Sequence, residues 1–302
     1  MYKKILLTGI TGQVGHALHK ALLSQASTVE CVALDRNQLD LTQPEQIRNV
    51  VQSIQPDLII NPAAYTAVDK AESEADLAYA INAIAPKILA EEASKLNAKL
   101  IHFSTDYVYN GQKVGAYYEA DATQPLSVYG KSKLAGEEAI QSVGLPHLIF
   151  RISWVYGAYG KNFMKTILRL VNERETLDIV ADQVGAPTSS HAMAEVLVKI
   201  LMHDRSDTSG IYHLVNSGKT SWYEFAQTIV EEANRLRLQK GKLPLLVKKI
   251  NPITTDQYPT AAVRPANSEL DTTKLFEDFG IRMPHWHQSL KDELNRLEMS
   301  SS

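Results

Sequence analysis

Short, nearly continuous apolar runs alternate with helix-forming stretches through the first half of the chain. Aliphatic and β-branched residues dominate these runs, which cover residues 3–9, 27–35, 57–64, 99–105 and 147–153. Between them, apolar side chains recur at the three- and four-residue spacing of an amphipathic helix. Strands that are apolar on both faces are typical of parallel sheets covered by helices on both sides. The pattern therefore predicts a doubly wound α/β fold.

Composition and charge exclude several kinds of partner. The chain has 302 residues, of which 44% are hydrophobic and 22% charged, and 31 Lys and Arg oppose 34 Asp and Glu. With no long block of one sign, we expect no nucleic-acid partner and no binding to membranes. Cys31 is the single cysteine, which excludes a disulfide framework, and the N-terminal apolar run is too short for a signal peptide. A cytoplasmic protein is expected.

A glycine-rich turn directly follows the first predicted strand. Gly9, Gly12 and Gly15 lie in TGITGQVG and open the first predicted helix. Such glycines allow a tight turn and close approach of the backbone to a pyrophosphate, and the helix N-terminus favours anions. Asp35 is suited to bind the adenosine ribose hydroxyls, and Arg36 could neutralise a 2′-phosphate. The turn predicts a dinucleotide site, with NADH and NADPH both open.

The alternation of strands and helices loosens after about residue 150, where Gly and Pro are scattered between the predicted elements. We expect residues 1–150 to form the dinucleotide-binding domain, of Rossmann type. Residues 151–302 are expected to form mainly a smaller α/β substrate-binding domain. A segment near 189–217, which contains the strand-like GIYHLV, is expected to return to the first domain.

Tyr129 and Lys133 stand four residues apart in VYGKSK, on one face of a predicted helix. An ammonium beside a phenol favours the phenolate, so this spacing predicts a lowered tyrosine pKa and a usable acid or base. Ser104 and Thr105 end a predicted strand, and ligands bind at the carboxyl ends of parallel strands. The sequence therefore predicts a site where a hydroxyl holds a carbonyl oxygen while Tyr129 delivers a proton.

Several longer segments resemble one known family. TGITGQVG, NPAAYTAVDKAE, STDYVY, VYGKSKLAGE and RISWVYG are together similar to the extended short-chain dehydrogenase/reductase family, and KNFMKTILRL, DQVGAPT and VRPANSELDT resemble its sugar-nucleotide reductases. The resemblance covers nearly the whole chain. It implies an NADPH- or NADH-dependent oxidoreductase of polysaccharide biosynthesis, which reduces the C4 ketone of dTDP-4-dehydro-β-L-rhamnose to give dTDP-L-rhamnose.

The resemblance also implies roles for individual residues. Tyr129 would donate the proton to the C4 oxygen, Lys133 would bind the nicotinamide ribose, and Thr105 would hold the same oxygen. Further residues would cradle the pyrophosphate, flank the adenine or line the cofactor channel, namely Gly12, Gln13, Val14, Asp40, Leu41, Ala64, Tyr65, Thr66 and Phe103. Others would contact the sugar or the thymidine diphosphate, namely Asp106, Trp154, Asn162, Phe163, Gln183 and Arg264.

Alternatives to this reductase remain open at this point. A sugar-nucleotide epimerase or dehydratase would share the fold, although a dehydratase usually has Glu after the Thr-Asp pair, where this chain has Tyr107. A non-catalytic regulatory subunit is the other alternative, because fold alone does not fix function. Divalent metal such as Mg²⁺ has been associated with some reductases of this type, but the sequence offers no ligand cluster to assign. A homodimer is also left open.

Overall fold

A parallel sheet forms the centre of the computed structural model, which describes residues 2–25, 29–202 and 208–299. The strands of these residues are β1 Lys4–Leu7, β2 Glu30–Ala33, β3 Leu58–Asn61, β4 Lys99–Thr105, β5 His147–Ile152, β6 Val155–Tyr156, β7 Thr176–Val180, β8 Val184–Gly185, β9 Thr188–Ser189, β10 Gly210–His213, β11 Thr220–Ser221, β12 Lys249–Ile253 and β13 Asn267–Ser268. Six of these described strands pair in parallel in the order β10-β5-β4-β3-β1-β2. Residues 27 and 28 of the predicted second strand lie outside the described residues.

Helices flank this sheet. The α-helices of the described residues are α1 Gln13–Gln25, α2 Pro44–Ile54, α3 Val68–Ala71, α4 Ala75–Tyr79, α5 Ala85–Lys95, α6 Val128–Val143, α7 Phe163–Leu170, α8 Ser190–Met202, α9 Trp222–Gln239, α10 Thr273–Phe279 and α11 Trp286–Met299. A π-helical turn, Ala80–Ile84, joins α4 to α5, and a 3₁₀ turn, Asp106–Val108, follows β4. None of the described helices combines the length and apolarity needed to cross a bilayer.

Two apolar layers, one on each face of the sheet, hold the helices in place. α1 and α8 pack on one face around Leu7 and Ile60, while α2, α5 and α6 pack on the other around Leu6 and Ile59. Successive strand residues point to opposite faces, so a continuous apolar run is buried on both. Each fully buried Leu or Ile is worth about 1.5–3 kcal/mol relative to exposure. The doubly wound fold predicted from the alternation is confirmed.

The strand order creates a crevice at the carboxyl edge of the sheet. β2 and β3, which follow β1 in the sequence, lie on opposite sides of it. The connections after β1 and β3 therefore leave on opposite faces of the sheet and part at that edge, which is where open α/β sheets bind ligands. The glycine-rich turn follows β1 at this point, and β4 and β5 extend the edge on the β3 side.

The rest of the described chain builds a smaller region from short strands and helices. β11, β8 and β13 form one sheet, whereas β7 pairs with β12 and β6 with β9. α7, α9 and α11 enclose an apolar cluster that includes Met164, Phe225 and Leu290. Within the segment 189–217, α8 packs on the central sheet and β10 pairs with β5. Residues 203–207 of that segment lie outside the described part of the chain, as do residues 300–302.

Candidate active site

A cavity of about 770 Å³ follows the carboxyl edge of the sheet, a volume within the range of ligand pockets. Residues after β1, β2 and β3, at the ends of β4 and β5, and on α6 form its wall. Of the residues expected at the cofactor, those that line it are Gly9, Gly12, Gln13, Val14, Arg36, Asp40, Leu41, Ala64, Tyr65, Thr66, Phe103, Tyr129 and Lys133. From the expected substrate set, Thr105, Asp106, Tyr129 and Trp154 line the same cavity.

The glycine-rich turn is shaped by contacts that side chains would block. Gly9 has a φ of +61°, in the left-handed region that suits glycine, and a Cβ there would lie 2.8 Å from Ala63 Cβ. Gly12 N donates to Gly9 O over 2.9 Å. Gly15 does not line the cavity, since it packs behind the turn, where a Cβ would overlap Gly9 O. This close packing brings the first amide groups of α1 to the cavity wall, where an anion can be held.

Asp35 and Arg36 follow β2 and are placed differently. Asp35 is not part of the cavity wall; its Oδ1 accepts hydrogen bonds from Asn37 N (2.8 Å) and Gln38 N (3.1 Å). Arg36 lines the cavity and has an exposed side chain. The structure thus turns the Asp35 carboxylate to its own backbone loop and leaves the Arg36 guanidinium at the cavity.

Asn82, which had no predicted role, fixes the loop after β3. Its buried carboxamide accepts from Tyr65 N at 2.9 Å and donates to Tyr65 O at 3.0 Å. It also donates to Ser132 Oγ on α6 at 3.0 Å. The loop that carries Ala64, Tyr65 and Thr66 is therefore tied to the same helix as Tyr129. The sequence signal for this role is the position of Asn82 on the apolar side of a predicted helix, because a buried Asn side chain rarely lacks a hydrogen-bond partner.

Thr105 and Asp106 lie at the end of β4 in a buried hydrogen-bonded group. Thr105 Oγ1 accepts from Tyr107 N at 3.2 Å and donates to Asp106 Oδ1 at 3.0 Å. Ser268 Oγ, from the C-terminal region, donates to Asp106 Oδ2 at 2.5 Å. Burial raises the pKa of the Asp106 carboxyl to about 6, although the bonds from Ser268 and Thr105 oppose the rise. Nothing in the sequence pointed to this contact, since 162 residues separate Ser268 from Asp106.

Tyr129 lies in the first turn of α6. Ser127 caps this helix by accepting from Gly130 N at 3.1 Å, and the Tyr129 ring packs edge-on against Tyr107, with centroids 5.4 Å apart. Burial raises the pKa of the Tyr129 phenol well above its usual value, and interaction with the Thr105 side chain opposes this only in part. The predicted lowering of this pKa by Lys133 is wrong for this structure, because desolvation dominates and the Lys133 amine is bonded to β4. The group is therefore a protonated phenol at neutral pH.

Lys133 is buried one turn further along α6. Its Nζ donates to Phe103 O at 2.6 Å and lies 3.1 Å from His102 Nε2, so it is directed at β4. Burial lowers the pKa of this amine to about 7, and the nearby Glu137 carboxylate opposes that fall. Glu137 itself is bound by Arg151, with Oε2 2.6 Å from Nη2. Tyr129 and Lys133 share one face of α6, as predicted from their spacing.

Trp154 forms the wall of the cavity toward the C-terminal region. Its indole stacks on Trp222, with centroids 3.6 Å apart and planes 9° from parallel. Its φ of +47° is unusual for a bulky residue. A Cβ at Gly185 would lie 2.8 Å from the indole, so the other face is also closely packed. The ring is held rigidly between β8 and α9 and borders the cavity.

Four residues of the expected substrate set do not line this cavity. Asn162 caps α7 and donates to Gln13 Oε1 at 2.9 Å, and Phe163 packs beside Trp222. Gln183 is buried and donates to Thr255 Oγ1 at 3.1 Å. Arg264 donates to Tyr107 OH at 3.1 Å and to Asp69 Oδ2 at 2.7 Å. Asn162 and Arg264 each contact a residue of the cavity wall, namely Gln13 and Tyr107, whereas Trp222 and Thr255, the partners named for Phe163 and Gln183, are not part of that wall.

No group of three or more His, Cys, Asp or Glu in residues 2–25, 29–202 and 208–299 is placed to hold a metal ion. Among these residues, the ionisable side chains of the cavity wall are Arg36, Asp40, Tyr65, Asp106, Tyr107, Tyr129, Lys133 and Lys161.

The parallel sheet, its glycine-rich turn and the paired Tyr129 and Lys133 on α6 define a short-chain dehydrogenase/reductase of the extended type. A sequence profile described as RmlD substrate binding domain matches residues 3–299. The chain belongs to this family, which confirms the resemblance seen in its motifs.

Relatives of known name agree with this membership. The chain is 45% identical over 300 residues to dTDP-4-dehydrorhamnose reductase of Escherichia coli strain K12, and the match covers 97% of each chain. Among solved structures, dTDP-4-dehydrorhamnose reductase from Bacillus anthracis in complex with NADP is 37% identical, with a TM-score of 0.89 over 98% of this chain and 100% of that chain. The orthologue from Clostridium acetobutylicum is also 37% identical, with a TM-score of 0.90 and the same coverage.

Proposed function

We propose that this protein is an NADPH- or NADH-dependent reductase of the C4 ketone of dTDP-4-dehydro-β-L-rhamnose, which gives dTDP-L-rhamnose. The observation that carries the proposal is the convergence of Thr105, Tyr129 and Lys133 at one end of a cavity whose other end is the glycine-rich turn. Membership of a family whose named relatives are dTDP-4-dehydrorhamnose reductases supports the substrate.

The cavity wall fits a dinucleotide. The close contact of Gly15 with Gly9 leaves the amide groups of Gln13 and Val14 at the cavity, where they hold the pyrophosphate. Arg36 is free to face a 2′-phosphate, whereas Asp35 bonds its own loop. Asp40 and Leu41 would flank the adenine, and Ala64, Tyr65, Thr66 and Phe103 would line the path to the nicotinamide.

The bound cofactor supplies a hydride to the C4 carbon of the substrate. Tyr129 transfers its phenolic proton to the C4 oxygen, so the C=O double bond becomes a CH–OH group. The raised pKa of the phenol keeps that proton in place until negative charge develops on the oxygen. Thr105 turns its hydroxyl from Asp106 to the same oxygen, and Lys133 as an ammonium holds the nicotinamide ribose and balances the charge left on Tyr129.

The C-terminal region holds the rest of the substrate in this proposal. Trp154, held rigid by its stacking on Trp222, borders the cavity on the side of the sugar. Asp106 lies beside the reacting oxygen, and Asn162, Phe163, Gln183 and Arg264 surround the thymidine diphosphate. Residues 1–150 with the return segment 189–217 form the cofactor domain, and the rest of 151–302 forms the substrate domain.

The direct test is to incubate the pure protein with the dTDP-4-keto sugar and each reduced cofactor in turn. Loss of absorbance at the wavelength of the reduced nicotinamide, together with formation of dTDP-L-rhamnose, is the expected result. Tightly bound NAD with no net cofactor consumption would instead indicate an epimerase. Absence of turnover with both cofactors would remove the proposed reaction.

A further inference from the structure

His102 is a fully buried titratable residue that the proposed reaction does not use. It lies on β4, between Asn61 on β3 and Ile149 on β5 in the sheet register, and its side chain points to the face covered by α6. Its ring makes two polar contacts: Nε2 lies 3.1 Å from Lys133 Nζ, and Nδ1 lies 3.1 Å from Asn61 Nδ2. Asn61 Oδ1 in turn accepts from Thr8 Oγ1 at 2.6 Å. A series of polar contacts therefore runs from Thr8, just after β1, across β3 and β4 to Lys133.

The contacts around His102 determine the charge that its imidazole can carry. Burial, reinforced by the charge of Lys133, lowers the pKa of His102 well below its usual value, so the ring is neutral. A neutral imidazole has one donor and one acceptor nitrogen. A charged Lys133 needs Nε2 as an acceptor, whereas a neutral Lys133 can accept from Nε2–H. A half-turn of the Asn61 carboxamide, which exchanges its donor and acceptor, serves either arrangement.

We propose that His102, oriented by Asn61, is a positioning residue that hydrogen-bonds Lys133 Nζ and sets the pH range over which Lys133 is an ammonium. An effect of His102 on turnover rests on the proposed function, because Lys133 acts as a cation in that reaction. Phe103 O is the other acceptor of this amine, at 2.6 Å. Removal of the imidazole leaves a buried ammonium with one acceptor in place of two, which disfavours its charged form.

Other ionisable groups surround this pair and bear on its pH dependence. Glu137 on α6 favours the ammonium, and its charge is balanced by Arg151 on β5. Tyr129 lies on the same helix, and Asp106 follows β4, with its pKa raised to about 6 by burial. β3 contributes the neutral Asn61, and Thr8 follows β1. Titration of Asp106 near pH 6 affects the acidic side of an activity profile, so the test of Lys133 uses the alkaline side.

The first experiment compares three variants in the reductase assay with NADPH and the dTDP-4-keto sugar between pH 6 and 9. His102→Leu removes both ring nitrogens, and His102→Gln keeps a donor and an acceptor. His147→Gln is the matched control, at the first residue of the neighbouring strand β5. We expect His102→Leu to lower kcat about 10-fold at pH 8 and to move the alkaline limb down by about one pH unit, as the loss of one charge-assisted hydrogen bond predicts. His102→Gln and His147→Gln should stay within about 3-fold of the parent.

An unchanged kcat and alkaline limb in His102→Leu would overturn the proposal, because the imidazole would then only fill space. The same conclusion follows if His102→Gln is as impaired as His102→Leu without a shift of the limb. Melting temperature and NADPH titration accompany each variant, so that loss of fold or of cofactor binding is seen separately.

A second measurement needs neither substrate nor a folded His102 variant. Ring-nitrogen NMR of the histidine-labelled parent protein should show a neutral His102 between pH 6 and 9, with ring signals that change in Lys133→Met. A charged ring, or ring signals that are identical in Lys133→Met, overturns the contact. Failure of the parent protein to reduce the dTDP-4-keto sugar overturns the proposed function, whereas the ring-nitrogen result tests His102 and Lys133 on their own.

Discussion

The two ends of the cavity are built on different principles. At the glycine-rich turn, Gly9, Gly12 and Gly15 lie within seven residues of sequence, and the main chain itself forms the wall. At the catalytic end, Thr105 and Tyr129 come from different elements and are buried side chains. The first end depends on the absence of side chains, and the second on their exact burial. A substitution at the first end therefore acts by filling space that the backbone needs. A substitution at the second end acts by changing which groups are protonated.

Burial is the dominant influence on the pKa values at the catalytic end. It raises the pKa of Tyr129 and of Asp106 and lowers that of Lys133, so each group moves toward its neutral form. Asp40, at the other end, is affected in the opposite direction, because the backbone N–H of Thr42 lowers the pKa of its carboxyl. The cofactor end is therefore open to solvent and depends on the shape of the backbone. The reacting end is shielded from solvent and depends on the charge states of its side chains. Four predictions test this contrast.

The largest effect is expected from Tyr129→Phe. Loss of the phenolic proton donor should reduce kcat about 1,000-fold, in the range of general-acid catalysis, while NADPH affinity stays within about 2-fold because the main chain holds the pyrophosphate. Steady-state kinetics and cofactor titration measure the two quantities. Tyr258→Phe, which removes an exposed phenol, is the control. Full turnover by Tyr129→Phe would exclude it as the acid.

Asp106→Asn tests desolvation through stability. Because burial raises the folded-state pKa of Asp106 from 3.8 to about 6, its favourable contribution is present below pH 3.8 and is lost as pH rises to 6. The free energy of unfolding of the variant, relative to the parent, should thus rise by roughly 2–3 kcal/mol across this window. Asp121→Asn should show the opposite trend, because Lys113 lowers that pKa. Denaturant unfolding measures this difference. A difference that does not change between pH 3.8 and 6 would contradict the desolvation of Asp106.

Gly15→Ala tests the close packing of the glycine-rich turn at the cofactor end of the cavity. The added Cβ overlaps Gly9 O, so the turn must shift, at a cost of about 2 kcal/mol or roughly 30-fold in NADPH affinity. Fluorescence titration measures the dissociation constant, with Lys20→Ala on the exposed side of α1 as the control. Once cofactor is saturating, kcat should recover to within about 3-fold, since the catalytic residues are untouched. Unaltered affinity would show that the close packing of the turn is not required.

Arg36→Gln is expected to have the smallest effect. Arg36 lines the cavity, whereas Asp35 does not. Loss of the Arg36 guanidinium, which faces the 2′-phosphate in the proposed complex, should lower kcat/KM for NADPH about 10-fold and leave kcat/KM for NADH nearly unchanged. The ratio of the two values is the measurement, and Arg174→Gln, an exposed arginine far from the cavity wall, is the control. An unchanged ratio would assign discrimination between the cofactors to other residues.

Much of the fold could be predicted from local pattern, and so could the glycine-rich turn, Thr105, Tyr129 and Lys133 at the cavity. The five predicted strands correspond to β1 to β5, and the four-residue spacing placed Tyr129 and Lys133 on one face of α6. Contacts between distant residues could not be predicted: Ser268 on Asp106, Asn82 on Tyr65, and His102 on Lys133 join separate elements. The contacts of Gln183 with Thr255 and of Phe163 with Trp222 could not be predicted either, since spacing along the chain does not show which way the C-terminal segments face.

The sequence by itself determined the parallel sheet and the glycine-rich turn, because both follow from residue periodicity and from backbone freedom within a few neighbouring residues. Tertiary structure alone decided the charge states of Tyr129, Lys133 and Asp106. Those depend on how much water the surrounding elements exclude and on which partners they bring within hydrogen-bonding distance. Both quantities are sums over groups that are far apart in the chain.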